Sequence, residues 1–141
     1  MIRKANAQWN GDLKSGKGTF SAQSGAFKDL PYTWARRFGD EHGTNPEELI
    51  AAAHASCFSM AFSAELGKAT MTPDYVKTEC ALTFDKTDKG FAIIESRLTT
   101  HVKVKGAKEA IEKAANDAKA GCPVSRSLNP NIKVMLDLKI D

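Results

Sequence analysis

The rhythm of hydrophobic and polar positions changes twice along the chain and divides it into three stretches. In the first, up to Gly43, residues 4–9 and 19–23 partly alternate between apolar and polar side chains. Asn10-Gly11-Asp12, Ser15-Gly16 and Ser24-Gly25 supply turn residues around them. Residues 32–37 carry the β-favouring Tyr32, Thr33 and Trp34, so this stretch predicts an antiparallel meander.

The second stretch opens on Gly43-Thr44-Asn45-Pro46-Glu47-Glu48-Leu49. Asn45 can cap a helix, Pro46 suits its first position, Glu48 completes a capping-box-like pair, and both acids favour the positive end of the helix dipole. From Leu49 to Phe62 the residues are apolar or small on every face, with no polar stripe. The pattern predicts a helix ending near Gly67 and buried all round. A domain of this size has little left to wrap such a helix. A homodimer, in which the partner supplies the missing cover, resolves the shortage, and Ala51-Ala52-Ala53 with Ala55 and Ser56 would let a second helix approach closely.

In the third stretch, strands are expected at residues 75–84 and 91–104, joined by the turn-like Asp85-Lys86-Thr87-Asp88-Lys89-Gly90. A helix over 107–120 places Ala110, Ile111, Ala114, Ala115 and Ala118 on one face, and Gly121 stops it. Cys122-Pro123 begins a further short helical turn, and residues 132–140 alternate as a last strand. Strand runs around two unequal helices give an α+β class rather than βαβ units.

The 141 residues fit a single domain spanning 1–141. Hydrophobic residues at 42% and charged residues at 26% exclude a disordered tail or a fibrous repeat. No uninterrupted apolar run reaches the roughly 18 residues of a membrane span, and the first nine residues lack the apolar core of a secretory signal. Twenty basic against 17 acidic residues leave a net charge of +3, too small and too scattered for nucleic acid binding. Three cysteines at wide spacing make no disulfide scaffold and suit a reducing compartment. The expectation is a soluble cytoplasmic protein.

Candidate chemistry therefore rests on Cys57, in the middle of the apolar helix, and Cys122, before a proline at a helix start. Reduction of a peroxide needs a thiolate, which becomes a sulfenic acid, and a second thiol that condenses with it to a disulfide. If Pro123 is the first helical residue, Cys122 sits at the positive end of a helix dipole. Taken alone, two cysteines 65 residues apart are more often buried hydrophobes. His54, one helical turn before Cys57, could pair with it, although a histidine hydrogen-bonded into the core is the commoner case. Glu47 is ten residues before Cys57, about 15 Å along one helix, and can reach such a sulfur only from a partner helix crossing near Ala52. Arg36 and Arg37 could stabilise a thiolate, though on an alternating strand only one would face inward. No Cys-x-x-Cys or His-Glu-x-x-His occurs, so no metal site is expected, and Gly16-Lys17-Gly18 lacks the spacing of a phosphate loop.

Three ordered motifs resemble the OsmC/Ohr family, the osmotically inducible protein C and organic hydroperoxide resistance proteins. They are Trp9-Asn10-Gly11-Asp12 with Gly16-Lys17-Gly18-Thr19; Arg37-Phe38 with residues 43–50 and 53–60; and Ala118-Lys119-Ala120-Gly121-Cys122-Pro123-Val124-Ser125. The likeness spans nearly the whole chain and is nearest to the OsmC branch. It implies an α+β fold of antiparallel strands around a long buried central helix, in an intertwined homodimer with active sites at the subunit interface. The implied activity is a thiol-dependent peroxidase for organic hydroperoxides, with hydrogen peroxide a poorer substrate. By the same resemblance, Cys57 is the peroxidatic cysteine, Cys122 the resolving one, and Arg37 and Glu47 the pair that activates Cys57. No bound cofactor is implied. Electrons would come from an external dithiol, of lipoyl type in the Ohr branch. Cys80 matches no functional position of the family and is expected to be a buried hydrophobe in a strand, and Arg36 is incidental. Two alternatives stand beside this reading: a non-catalytic ligand-binding or stress-related dimer with an inert Cys57, and a cysteine hydrolase using Cys57 with His54.

Overall fold

A computed structural model describes all residues, Met1–Asp141, and they fall into two compact units, Met1–Pro46 and Glu47–Asp141. In the first unit, strands β1 (Ala5–Asn10), β2 (Lys17–Ala22) and β3 (Leu30–Thr33) form an antiparallel sheet in that order. Gly18 sits opposite Trp9 on one side and Tyr32 on the other. The two rings pack with centroids 5.3 Å apart, and a Cβ on Gly18 would overlap the Tyr32 ring. Glycine is what this aromatic contact requires.

The expected strand at 32–37 stops at Thr33. The Thr33 hydroxyl accepts the Arg36 backbone N–H at 3.2 Å and starts a short helix, α1 (Trp34–Phe38). Along α1 the rings of Trp34 and Phe38 pack in a tilted pair one turn apart, 5.5 Å between centroids. The cap and this i, i+4 contact outweigh the β preference of three residues.

In the second unit, α2 (Pro46–Lys68) begins as expected, with Glu47 and Glu48 in its first turn. Within the chain it is buried along one stripe, Glu47, His54, Phe58, Phe62 and Leu66, and not all round. Ala52, Ala53, Ser56 and Met60 are exposed, Met60 at 76%. Over an 18-residue window its mean hydropathy is 1.3, so by length and composition alone this helix is long and apolar enough to cross a membrane.

Strands β4 (Tyr75–Thr87), β5 (Gly90–Lys103) and β6 (Lys133–Ile140) form the second sheet, with β5 in the centre. β4 runs three residues further than expected and β5 begins one residue earlier, leaving only Asp88-Lys89 as the turn. Gly90, at a φ of +106°, and a 2.7 Å bond from the Thr87 hydroxyl to the Gly90 carbonyl close it. The expectation of antiparallel strands without βαβ units is corrected at β6, which pairs parallel to β5. Helices α3 (Lys108–Gly121) and α4 (Pro123–Leu128) lie between them and provide the long connection that a parallel return needs. The core joins Phe58, Phe62 and Leu66 of α2, Leu98 and Val102 of β5, Ile111 and three alanines of α3, and Cys122. Each fully buried Phe or Leu contributes about 1.5–3 kcal/mol. A chain of hydroxyls, from Ser59 to Thr78 at 2.8 Å and on to Thr100 at 3.1 Å, also fastens α2 to the sheet.

Candidate active site

Cys57 lies at the edge of the buried stripe of α2, next to Phe58, and is partly exposed. Cys122 is the hinge between α3 and α4, and it is fully buried. Two backbone bonds hold it: its N–H donates to the Ala118 carbonyl at 2.8 Å, and its carbonyl accepts from Arg126 at 2.9 Å. The fold brings these two cysteines together. Cys57 packs against the core cluster that contains Cys122, and the Cys122 thiol and the Val124 backbone N–H, in the first turn of α4, both influence the Cys57 sulfur. Both cysteines are free thiols.

Pro123 is the first residue of α4, as its sequence suggests, yet the Cys122 side chain makes no capping bond. The positive helix start acts on Cys57 through the Val124 N–H, which favours its thiolate. Burial pushes the Cys57 thiol above its ordinary range, the Val124 N–H pulls it down, and the Cys122 thiol raises it again. No charged group of Glu47–Asp141 is among these influences. A cation is what would be needed to draw Cys57 into the thiolate form near neutral pH.

His54 does not pair with Cys57. Its Nδ1 is 2.7 Å from the Ser96 hydroxyl on β5, and its Nε2 is 2.7 Å from the Ser125 hydroxyl on α4. The ring is fully buried, which lowers its pKa and keeps it neutral at pH 7. The hydrolase alternative thus lacks its base. Cys80 is more than the apolar filler expected: its sulfur is 3.2 Å from the Ser96 hydroxyl and 3.9 Å from His54 Nδ1. Cys80 pairs across the strands with Leu98, so Ser96 is its diagonal neighbour. Ser96 falls in none of the sequence motifs, and Ser125 closes the third of them without an assigned role. Ser125 had a signal, because it stands one turn after Cys122, whereas Ser96 had none.

Glu47 shares the unbroken helix α2 with Cys57, about 15 Å away along the axis, and the two do not meet in one chain. Glu47 is buried. Arg37 lies on α1, its guanidinium 5.2 Å over the Phe38 ring, and lines a largely apolar pocket of about 220 Å³ with Trp9, Leu13, Tyr32 and Trp34. Arg36 is engaged elsewhere, at 2.9 Å from Glu41 and 2.7 Å from the Pro31 carbonyl. No group of three His, Cys, Asp or Glu side chains is placed to hold a metal ion.

Comparison with known proteins bears on this pair of cysteines. Residues 39–137 match the family model described as OsmC-like protein. Peroxiredoxin OsmC of Escherichia coli is 47% identical over 138 residues, covering 97% of this chain and 96% of the relative. Organic hydroperoxide resistance protein OhrB of Bacillus subtilis is 33% identical over 99 residues, 69% of this chain and 71% of the relative. The crystal structure of that OhrB superimposes with a TM-score of 0.72 at 26% identity, over 96% of this chain and 98% of the other. The chain therefore belongs to the OsmC-like family, in its OsmC branch, with the α+β fold of OsmC and Ohr proteins.

Proposed function

We propose that this protein is a thiol-dependent peroxidase that reduces organic hydroperoxides through Cys57 and Cys122, with hydrogen peroxide a poorer substrate. The observation that carries the reading is that a partly exposed, free Cys57 packs against the core cluster holding the buried, free Cys122. In the first step the Cys57 thiolate attacks the terminal peroxide oxygen: RS⁻ and R′OOH, with one proton, give RSOH and R′OH. The Cys122 thiol then attacks the Cys57 sulfenic acid, forming the S–S bond and releasing water. An external dithiol, of lipoyl type, reopens the disulfide and is itself oxidised, so the chain needs no resident cofactor.

Burial holds Cys57 as a thiol within Glu47–Asp141, so activation is assigned to Arg37, with Glu47 positioning it. Residues 1–141 act as one OsmC-like domain, and two chains form a homodimer with shared sites. The exposed apolar residues of α2, Met60 foremost, support the homodimer because they are the surface a partner would cover. A cytoplasmic setting suits three free cysteines.

The raised Cys57 thiol is also what an inert, ligand-binding dimer would display. Two measurements separate the readings. One equivalent of cumene hydroperoxide should convert the reduced protein to a Cys57–Cys122 disulfide visible by mass spectrometry, and Cys57→Ser should abolish the reaction. Alkylation of Cys57 should follow a pKa below that of a free cysteine. A protein that consumes no hydroperoxide, with Cys57 alkylated only above pH 9, would be the inert dimer.

A further inference from the structure

The reaction requires a sulfur on α2 and a sulfur at the start of α4 to stay in register while one of them gains an oxygen. α2 is secured to the sheet several times over, by its apolar stripe, by the Ser59–Thr78–Thr100 hydroxyls and by His54 to Ser96. α4 is different. It has six residues, and its one buried residue is Ser125. Val124 packs only partly against the core. The side-chain bond from α4 to α2 is Ser125 to His54, at 2.7 Å.

The spacing gives this bond its meaning. His54 is three residues before Cys57, and Ser125 is three residues after Cys122. Each member of the bond is thus one helical turn from one of the two sulfurs, on the same helix or at its cap. Ser96, itself bonded to Cys80, braces the far nitrogen of the ring against β5. A ring that is fully buried and bonded at both nitrogens cannot turn without leaving polar groups unpaired, at about 1–3 kcal/mol each.

We infer that His54 is a positioning residue for the disulfide step: through Ser125 it fixes the start of α4, and with it Cys122, against the helix that carries Cys57. This inference rests on the assignment of Cys57 and Cys122 above. It predicts that loosening the bond slows condensation of the Cys57 sulfenic acid with Cys122 and spares the attack of Cys57 on peroxide. Misplacement by about 1 Å can cost roughly a hundredfold in a step governed by proximity.

The test resolves the two steps by rapid mixing with cumene hydroperoxide, quenching with acid and quantifying thiol, sulfinic acid and disulfide by mass spectrometry. Ser125→Ala removes the α4 partner and nothing from either cysteine. His54→Asn and His54→Gln form a matched pair, because an Asn amide reaches the position of Nδ1 and a Gln amide that of Nε2. Ser125→Ala and His54→Asn should slow disulfide formation at least tenfold, change peroxide attack less than threefold, and accumulate Cys57 sulfinic acid at excess peroxide. His54→Gln, which keeps the bond to Ser125, should form the disulfide within about threefold of the wild-type rate. Equal rates of condensation in the Asn and Gln variants, or equal losses in both steps, would overturn the positioning role. If wild type consumes hydroperoxide but forms no Cys57–Cys122 disulfide, the assignment beneath it falls, and this inference with it.

Discussion

Glu47 and Cys57 offer the sharpest test of how the active site is assembled. They lie on one unbroken helix, ten residues apart, so the rise of the helix separates them by about 15 Å. A charge-assisted hydrogen bond spans about 2.7–2.9 Å. No rotamer of Glu47 closes that gap, so a site containing both residues takes them from two subunits whose α2 helices cross near Ala52. Mixing Glu47→Ala subunits with Cys57→Ser subunits, each nearly inactive alone, tests this directly. In a mixed dimer one site carries both defects and the other is intact. Random pairing of equal amounts makes about half the dimers mixed, so activity should recover to about a quarter of wild type. A control comes from the packing of Cys57 against the core cluster that holds Cys122 inside a single chain: Cys57→Ser mixed with Cys122→Ser leaves a defect in every site and should recover nothing. The assay is cumene hydroperoxide consumption with a dihydrolipoyl reductant after denaturation and refolding of the mixture, with native mass spectrometry to count mixed dimers. Mixed dimers without recovered activity would refute the shared site and place it within one chain.

Cys122→Ser should complete the first reduction at the wild-type rate and then fail to turn over with dithiols, its Cys57 drifting to sulfinic acid; normal cycling would remove Cys122 from the mechanism. Cys80→Ala should leave peroxidase activity near wild type and cost about 1–2 kcal/mol in denaturant melts, because Ser96 keeps its bond to His54 and only a small void is left. Activity lost from a fully folded Cys80→Ala protein would contradict this. Burial lowers His54 below its ordinary value of 6.5, so the unfolded chain takes up a proton near that pH which the folded protein does not. The stability His54 lends is therefore complete above pH 6.5 and declines as the pH falls below it. The melting temperature should drop on acidification below 6.5 more steeply for wild type than for His54→Gln, and parallel curves would show that His54 does not remain neutral in the folded state.

Local chemistry was written in the sequence wherever the residues deciding it were neighbours. The first turn at Pro46, the stop after Gly121, the helix start at Pro123 and both long strands of the second sheet follow from side chains within a few positions of one another. The motif around each cysteine is likewise continuous, but the pairing of two residues 65 apart came only from the family resemblance. What the sequence left open depended on partners distant along the chain. The apolar pattern of α2 could not tell which face meets the chain's own sheet and which is left exposed, because alanine and serine tolerate either side. Residues 32–37 read as strand because propensity is a sum over residues, whereas a single hydroxyl on Thr33 redirected the backbone into a helix. The direction of β6 lay in the crossover before it and not in its own alternation, which is the same for parallel and antiparallel pairing. His54 shows the division most plainly. Its distance from Cys57 along the helix was legible at once, but its true partners, Ser96 and Ser125, stand 42 and 71 residues away. A buried imidazole bonds the hydroxyls that tertiary packing brings to its ring edge, and only the folded chain determines which hydroxyls those are.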